Sequence, residues 1–493
     1  MRDRLARRLF PLVASAGLIA TGMLTTTWGP DRILHASEWA LPYDYWGTLV
    51  AATRLVHGQV GGLYTQPTGL VSLPGTAIIL TPVAAVIAVL GLSLHIPGPD
   101  NLHPVVWLIA GPYQIALCCV QLFAADALAE RLGVSRWKRG LLAVAGACAL
   151  WSVSARWGHP EDAVAVGLLL YAVLALADDR PVRAGWLAGA AICVQPLVLL
   201  AVPTVVALLP GRRIAWFLVR AALPSAILLG IAGLANWGAM YTSVTSQPNS
   251  PVINHPTAWT SLAPHMAGGN VAAGPFRLAT IVLACLCAFA VRRRWGPQAG
   301  GTSATGAGSG QWEPAVVADV LWFAALALAL RSFFEPVMVS YYPWPTLAVA
   351  LIPAAYGGWV RLVVAGVIAS GVTAQGQGPW HNVLAWWVPL VAGLLLLLVV
   401  SRPGWWRQRP DMAAAVVLGR RCLRRAGPRR RSSAGTSWSP VAAGGPACRF
   451  PARRSSGHCR RTSRRAPRLR RTPGRRAVAG PWGCAAAPPT ARR

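Results

Sequence analysis

Long apolar runs separated by short polar gaps are the feature that most constrains the fold of this chain. Three of these runs, residues 314–332, 361–374 and 382–400, are nearly free of charge. As helices they approach the length that crosses a hydrocarbon layer about 30 Å thick. Charged residues make up only 12% of the 493 residues, which is too few for a soluble protein of this size. The pattern predicts an all-α, polytopic transmembrane helical bundle.

Clusters of Lys and Arg set the predicted orientation, because such clusters stay on the cytosolic side of membranes. They lie at residues 1–8, 131–139, 180–183, 212–213, 292–294 and from 402 onward. If all are cytosolic, the chain crosses the membrane an even number of times between neighbouring clusters. About ten spans result, at residues 9–27, 104–128, 140–155, 162–178, 214–236, 276–291, 314–332, 344–356, 361–374 and 382–400. We expect a multi-pass protein of the plasma membrane with both termini in the cytosol.

Two further apolar segments are predicted to enter the membrane without crossing it. Residues 75–94 are expected to lie along the outer leaflet or to dip into it, because a crossing there would move the cluster at 131–139 outside. Residues 184–209 connect two basic clusters and are interrupted by Pro196 and Pro203. These prolines favour a helical hairpin that turns back within the bilayer.

The transmembrane domain is predicted to cover residues 1–401. Its large extracytoplasmic loops are 28–103, with an interfacial helix, and 237–275, while the Gly-, Ser- and Thr-rich segment 298–311 is predicted to be a cytosolic linker. Residues 402–493 form an Arg-, Pro- and Ala-rich tail, predicted to be disordered and cytosolic. This tail could be an arm that binds anionic membrane lipids, or an extension without function.

The tail also explains the strongly basic composition. From Met412 onward there are 21 Arg and no acid, about two-thirds of the net charge of +31. The charge therefore does not indicate a nucleic-acid partner, and none is predicted.

Asp44 is the strongest candidate for chemistry in the first outer loop. It lies between Tyr43 and Tyr45, close to the expected membrane surface. A carboxyl group walled by aromatic rings can have a raised pKa, which suits a general base. The alternative is a structural role as the N-cap of a helix over residues 47–55.

A second group of candidates lies at residues 156–162. Arg156 and His159 could hold a lipid phosphate, and Glu161 or Asp162 could bind sugar hydroxyls or a divalent cation. The same acids, with Pro160, would also suit the first turn of a helix, where carboxylates interact favourably with the helix dipole.

A third group lies near the end of the apolar run at residue 332. Arg331 could pair with Glu335 as an anchor at the membrane surface, or it could hold the phosphate of a lipid-linked donor. Tyr341 and Tyr342 come next in the same outer gap, and aromatic rings can stack on the apolar face of a sugar.

The loop at 237–275 adds His255 and His265 as candidates for substrate contact. No H-E-x-x-H pattern and no C-x-x-C pair occurs in the chain, so no zinc site is predicted and no residue is assigned as a metal ligand. A phosphate-binding G-x-x-x-x-G-K-[ST] loop is also missing from the sequence, which argues against nucleotide-driven transport.

The layout of the chain resembles that of the GT-C glycosyltransferases. An N-terminal helix is followed by a long outer loop with an early acid, Asp44, and then by Gly58, Leu63-Tyr64, Pro74 and an apolar run. The segment from Arg183 to Gln195-Pro196 is similar to the short helical hairpin of that family. The resemblance is greatest to the actinobacterial membrane mannosyl- and arabinosyltransferase-like branch, and it covers about residues 5–400 in layout.

The resemblance implies a reaction. In this family a sugar moves from a polyprenyl phosphate to an envelope glycan or glycolipid on the outer face, and the early loop acid is the proposed base, which corresponds to Asp44. A second acid often lies near the first in the family. Here the neighbouring acids are Asp31 and Glu38, at other spacings, which leaves the use of a divalent cation open. A transporter or flippase of lipid-linked sugars, or a non-catalytic scaffold, are the alternatives.

Overall fold

A computed structural model of the chain describes residues 6–28, 43–65, 70, 72–94, 105–301, 311–378 and 382–404. These residues are mostly helical. The predicted tail beyond residue 404 and most of the predicted linker lie outside the described residues, as do Asp31 and Glu38.

The described residues form fifteen α-helices in the order expected from the apolar runs. They are α1 Leu9–Trp28, α2 Tyr43–Val56, α3 Gly75–Val89, α4 Trp107–Cys118, α5 Val120–Arg131, α6 Arg136–Trp151, α7 Pro160–Ala177, α8 Pro181–Val194, α9 Val202–Val206, α10 Gly211–Asn249, α11 Gly274–Gly301, α12 Pro314–Phe334, α13 Trp344–Gly357, α14 Trp359–Gln375 and α15 Val383–Ser401. A short π-helix, Ser152–Arg156, comes directly after α6.

Six helical segments are long and apolar enough to cross a membrane. They are Trp107–Arg131, Pro160–Ala177, Gly211–Thr245, Gly274–Gly296, Pro314–Phe334 and Val383–Ser401. Their burial differs widely: 83% of the apolar window of α7 is buried, against 17% of that of α10. Helix α7 is therefore a central helix of the bundle, whereas α10 presents apolar side chains to its surroundings.

The helices run between two ends of the bundle, which ion pairs and hydrogen bonds identify. At the basic end, Arg139 pairs with Asp126 at 2.7 Å and Arg131 with Asp178 at 3.0 Å. At the opposite end, called the histidine end, His159 at the start of α7 lies beside Asp44 at the start of α2. Lys138, in the first turn of α6, is at the basic end with Arg139, so Asp44 and Lys138 lie at opposite ends.

Helices α8 and α10 are parallel, which shows that the chain reverses between them. Gly185 packs against Phe217 and Arg220, and Gly189, four residues on, packs against Arg220 and Ala221. Residues 195–210 therefore return the chain to the basic end. Helix α8 ends immediately before Gln195-Pro196, because proline has no N–H to continue the helical hydrogen bonds.

Three boundaries differ from the sequence prediction. The predicted span 104–128 breaks into α4 and α5 at Cys119. Helix α10 continues through Asn249 across an extended residue, Asn236, so the first part of the predicted loop 237–275 is helical. Helix α11 continues to Gly301, so the predicted linker at 298–311 begins in a helix.

The remainder of the 237–275 loop packs on the segment after α12. It contains a two-stranded antiparallel sheet, β1 His265–Met266 with β2 Asn270–Val271. The Thr257 hydroxyl donates to the Glu335 carbonyl oxygen at 2.9 Å. This loop therefore holds the connection between α12 and α13 in place at the histidine end.

Candidate functional site

His159 occupies the centre of the histidine end because of the turn that precedes α7. Gly158 has a left-handed backbone, with φ of 63°, a conformation that glycine adopts without steric cost. The His159 N–H donates to the Val153 carbonyl oxygen at 2.9 Å, which closes the turn onto the π-helix. Pro160 then occupies the first turn of α7, where a proline costs no hydrogen bond.

The imidazole of His159 lies between two carboxylates. Its Nδ1 is 2.7 Å from Glu161 Oε1, and its Nε2 is 3.5 Å from Asp44 Oδ2. Glu161 and His159 are buried, whereas the side chain of Asp44 is 65% exposed. The arrangement joins a buried acid, through a buried histidine, to an acid that solvent can reach.

The charges of these groups depend on one another. Burial opposes the charged form of the imidazole, but Glu161 and Asp44 outweigh it and raise the pKa of His159 to about 10. The His159 imidazole, with its Nε2 3.5 Å from Asp44 Oδ2, lowers the pKa of Asp44. The expectation of a raised pKa for Asp44 was therefore wrong, because its carboxylate lies beside a protonated imidazole, which favours the charged form.

Tyr341 covers the imidazole. Its ring stacks on that of His159, with centroids 3.9 Å apart and an angle of 30° between the planes. Burial, together with the nearby charges of Asp44 and Asp162, raises the pKa of Tyr341 well above its usual range. Its hydroxyl therefore remains a hydrogen-bond donor at neutral pH.

Asp162, the residue after Glu161 in α7, is also buried. Gln195 Nε2 donates to Asp162 Oδ1 at 2.7 Å. Helix α3 fixes the position of Gln195, because the Thr76 hydroxyl donates to the carbonyl oxygen of Val194 at 2.6 Å. Gln195 was not among the site residues predicted from the sequence. The sequence signal that could have identified Gln195 is its position directly before Pro196, because this proline ends α8 at the level of Asp162.

Arg331 and Glu335 lie beside this pair, but Glu335 has a second partner. Arg277 Nε donates to Glu335 Oε1 at 3.0 Å, whereas Arg331 Nε is 3.7 Å from Glu335 Oε2. The Arg331 guanidinium lies over the Tyr342 ring, 3.6 Å from its centroid, and it interacts electrostatically with Asp162. Arg277 was not predicted either, since it lies 58 residues from Glu335 in the chain and carries no local motif.

The remaining predicted residues are less closely joined to this cluster. Arg156 is half-buried, and its guanidinium lies 6.0 Å from the ring centroid of Trp157. His255 is buried, with its ring 5.6 Å from that of Trp386. His265 is exposed on β1, and among the described residues no contact joins it to His159 or Arg331.

The acids at this end are paired with His159, Gln195 and Arg277 rather than with one another. Within the described ranges, no group of three or more His, Cys, Asp or Glu side chains is arranged to hold a metal ion. The carboxylates of the histidine end therefore meet nitrogen donors, which hold them in place by hydrogen bonds and ion pairs.

Comparison with known proteins assigns no family. No protein-family model matches the chain, and no curated protein is significantly similar to it. The resemblance to GT-C glycosyltransferases therefore stays a prediction, and a proposal about function has to rest on the geometry of the histidine end.

Proposed function

We propose that this chain is a membrane glycosyltransferase of the GT-C type. It would move a mannose- or arabinose-type sugar from a polyprenyl phosphate to an envelope glycan or glycolipid on the outer face of the plasma membrane. The observation that carries the proposal is the exposed Asp44 carboxylate beside the buried His159 imidazolium. Both lie at the end of the bundle opposite the basic clusters.

The proposed topology has about ten crossings. The described helices alternate in direction between the two ends, with three exceptions. Helices α2 and α3 pack beside the bundle, α4 and α5 follow each other in one direction as two parts of one segment, and the chain reverses between α8 and α10. If the basic end is cytosolic, the histidine end faces outward, where polyprenyl-linked sugars and envelope acceptors would meet. Both termini would then be cytosolic.

Asp44 would act as the base. As the acceptor hydroxyl forms a bond to the anomeric carbon, the bond from that carbon to the phosphate oxygen breaks, and the hydroxyl proton passes to the Asp44 carboxylate. The lowered pKa of Asp44 keeps the carboxylate ionised at neutral pH. A weak base suffices, because the attacking hydroxyl becomes strongly acidic as its oxygen bonds to carbon.

His159 would orient Asp44 and keep it charged. Its Nδ1 side is held by the buried Glu161 at 2.7 Å, so the imidazolium is fixed before substrate arrives. Tyr341 stacks on its face and limits rotation of the ring. Such pre-organisation is worth more than an additional flexible contact, since it needs no rearrangement during the reaction.

An arginine would stabilise the leaving polyprenyl phosphate. Arg331 suits this role, because its guanidinium stacks on Tyr342 while Glu335 is held more closely by Arg277. Within the described residues no oxygen accepts a hydrogen bond from Arg331, so its donors could serve a phosphate. Arg156, three residues before His159, is the second candidate.

A transporter or flippase of lipid-linked sugars is the runner-up. Transport would need polar or charged groups along the middle of the bundle. The buried charged groups of the described residues instead lie at the two ends. Gln114, which donates to the Ser154 carbonyl oxygen at 2.8 Å, and Gln121 are uncharged amides between them. This distribution favours chemistry at one surface over a path through the bundle.

The test is sugar transfer in isolated membranes that are supplied with labelled polyprenyl-phosphate sugars. Asp44→Asn should lower the transfer rate on the order of 10²–10⁴-fold, the usual contribution of a general base. Asp179→Asn is the matched control, because Asp179 is also exposed and paired but lies at the basic end. Wild-type rates in Asp44→Asn membranes would refute the enzyme assignment, and wild-type protein without transfer activity would favour the transporter or scaffold.

A further inference from the structure

A groove at the basic end of the bundle lies outside the proposed active site. It has a volume of about 700 Å³ and is lined by residues 179–183 together with Trp186 and Leu187. This surface is termed the Arg180 groove. We infer that the Arg180 groove binds an anionic phospholipid, with the phosphate between Arg180 and Arg183 and an acyl chain along α8.

Two positive charges of the groove are not neutralised by neighbouring acids. Arg180 and Arg183 are exposed, and within the described part of the chain neither forms an ion pair. Asp179, the acid that lines the groove, is held by Arg213 at 3.0 Å. The groove therefore keeps a net positive charge, which complements the phosphate of an anionic lipid.

Apolar side chains alternate with these arginines along the first turns of α8. Val182 is 53% exposed and Trp186 is 45% exposed, although both are large and hydrophobic. An exposed Trp beside charged residues is typical of the level where headgroups meet acyl chains. A soluble anion would satisfy the arginines but would leave these apolar walls in water, so a phospholipid fits the groove better.

The groove lies at the end that carries the other arginine clusters. Asp178, the residue before Asp179, is paired with Arg131. Both acids of the connection between α7 and α8, Asp178 and Asp179, are therefore paired with arginines that do not line the groove. In the proposed topology this end faces the cytosolic leaflet, whose anionic lipids attract basic surfaces. Lipid binding here requires membrane insertion but not glycosyl transfer.

Native mass spectrometry of the full chain, released from micelles that contain phosphatidylglycerol and phosphatidylcholine, tests this inference. The variant Arg180→Gln/Arg183→Gln should bind phosphatidylglycerol roughly 30-fold more weakly, as expected for the loss of two surface charges. Binding of phosphatidylcholine should not change. The matched control is Arg212→Gln/Arg293→Gln, which removes two exposed arginines from the same end. Because neither residue lines the groove, this variant should retain most of the phosphatidylglycerol binding.

Two further measurements separate loss of lipid binding from misfolding and from binding of a soluble phosphate. Arg180→Lys/Arg183→Lys retains the charge and should retain most of the phosphatidylglycerol binding, which also shows that the helix tolerates substitution. Excess glycerol phosphate should not displace the lipid. The inference is overturned if the glutamine variant binds like wild type, if the control loses as much binding, or if glycerol phosphate displaces the lipid.

Discussion

Acidic side chains have different partners at the two ends of the bundle. At the basic end every described aspartate forms an ion pair with at least one arginine. The pairs are Asp126 with Arg8 and Arg139, Asp178 with Arg131, Asp179 with Arg213, and Asp319 with Arg294. At the histidine end Asp44 and Glu161 share His159, and Asp162 is held by an amide. Among the described acids of that end, only Glu335 forms ion pairs with arginine.

The difference has a chemical consequence. An arginine stays protonated at any pH a protein experiences, so the acids of the basic end are fixed as ion pairs and serve the fold. A histidine can lose its proton, and an amide carries no charge. The acids of the histidine end are therefore the ones whose ionisation can respond to a substrate, and the proposed reaction takes place there.

The largest effect on stability is expected from Asp126→Ala. Asp126 is buried, and the side chain of its partner Arg139 is only 9% exposed. Removal of the carboxylate leaves a buried guanidinium whose remaining carboxylate partner, Glu130, is 3.8 Å away, and breaking a buried ion pair typically costs about 3–5 kcal/mol. Denaturant unfolding in detergent measures the loss. Asp179→Asn, at an exposed pair of the same end, should cost less than about 1 kcal/mol; equal losses would show that burial does not distinguish the two pairs.

The second effect is a pH dependence specific to His159. Its pKa rises from 6.5 to about 10 on folding, so the folded state binds a proton that the unfolded state lacks between these values. Stability from this group is therefore complete below pH 6.5 and is lost as the pH rises toward 10, by at most about 1.4 kcal/mol per pH unit. The difference in unfolding temperature between wild type and His159→Gln should shrink from pH 7 to pH 10. A constant difference would mean that His159 is neutral in the folded protein.

A smaller effect, on donor binding and turnover together, is expected from Arg331→Gln. Loss of a charged hydrogen-bond donor to phosphate should raise the KM for the lipid donor roughly ten- to hundredfold, and it should also lower kcat, because the same contact would stabilise the leaving phosphate. Arg331→Lys should recover part of the loss, since it restores the charge but not the paired donors. Should Arg156→Gln raise KM instead, the phosphate would lie on the other side of His159.

Much of the helical framework was predictable from the sequence. Helices α7 and α12 correspond to uninterrupted apolar runs, and each begins with a proline at the start, Pro160 or Pro314. The end of α8 is explained by Pro196. The break at Cys119 had no local signal, because the residues on both sides favour helix. Helix α10 resumes after Asn236, whose side-chain oxygen accepts a hydrogen bond from the Ala239 N–H at 3.2 Å.

The site was predictable in its members but not in its pairings. Acids and histidines in the gaps between apolar runs led to Asp44, His159 and Asp162. Their partners come from distant parts of the chain: Asp44 lies 115 residues from His159 in sequence, and Gln195 lies 33 residues from Asp162. Because the charge on Asp44 depends on its contact with His159, the direction of its pKa shift could not be inferred from the neighbouring tyrosines.

The central claim, that the histidine end and the basic end face opposite sides of a membrane, can be tested with lysine chemistry. Lys138 is the only lysine of the chain and lies at the basic end, whereas the exposed Ser261 lies in the loop at the histidine end. In intact cells, a membrane-impermeant amine reagent followed by peptide mapping should label the Ser261→Lys variant at position 261 and should label Lys138 only after permeabilisation. Labelling of Lys138 in intact cells, or equal labelling of both positions, would contradict this orientation.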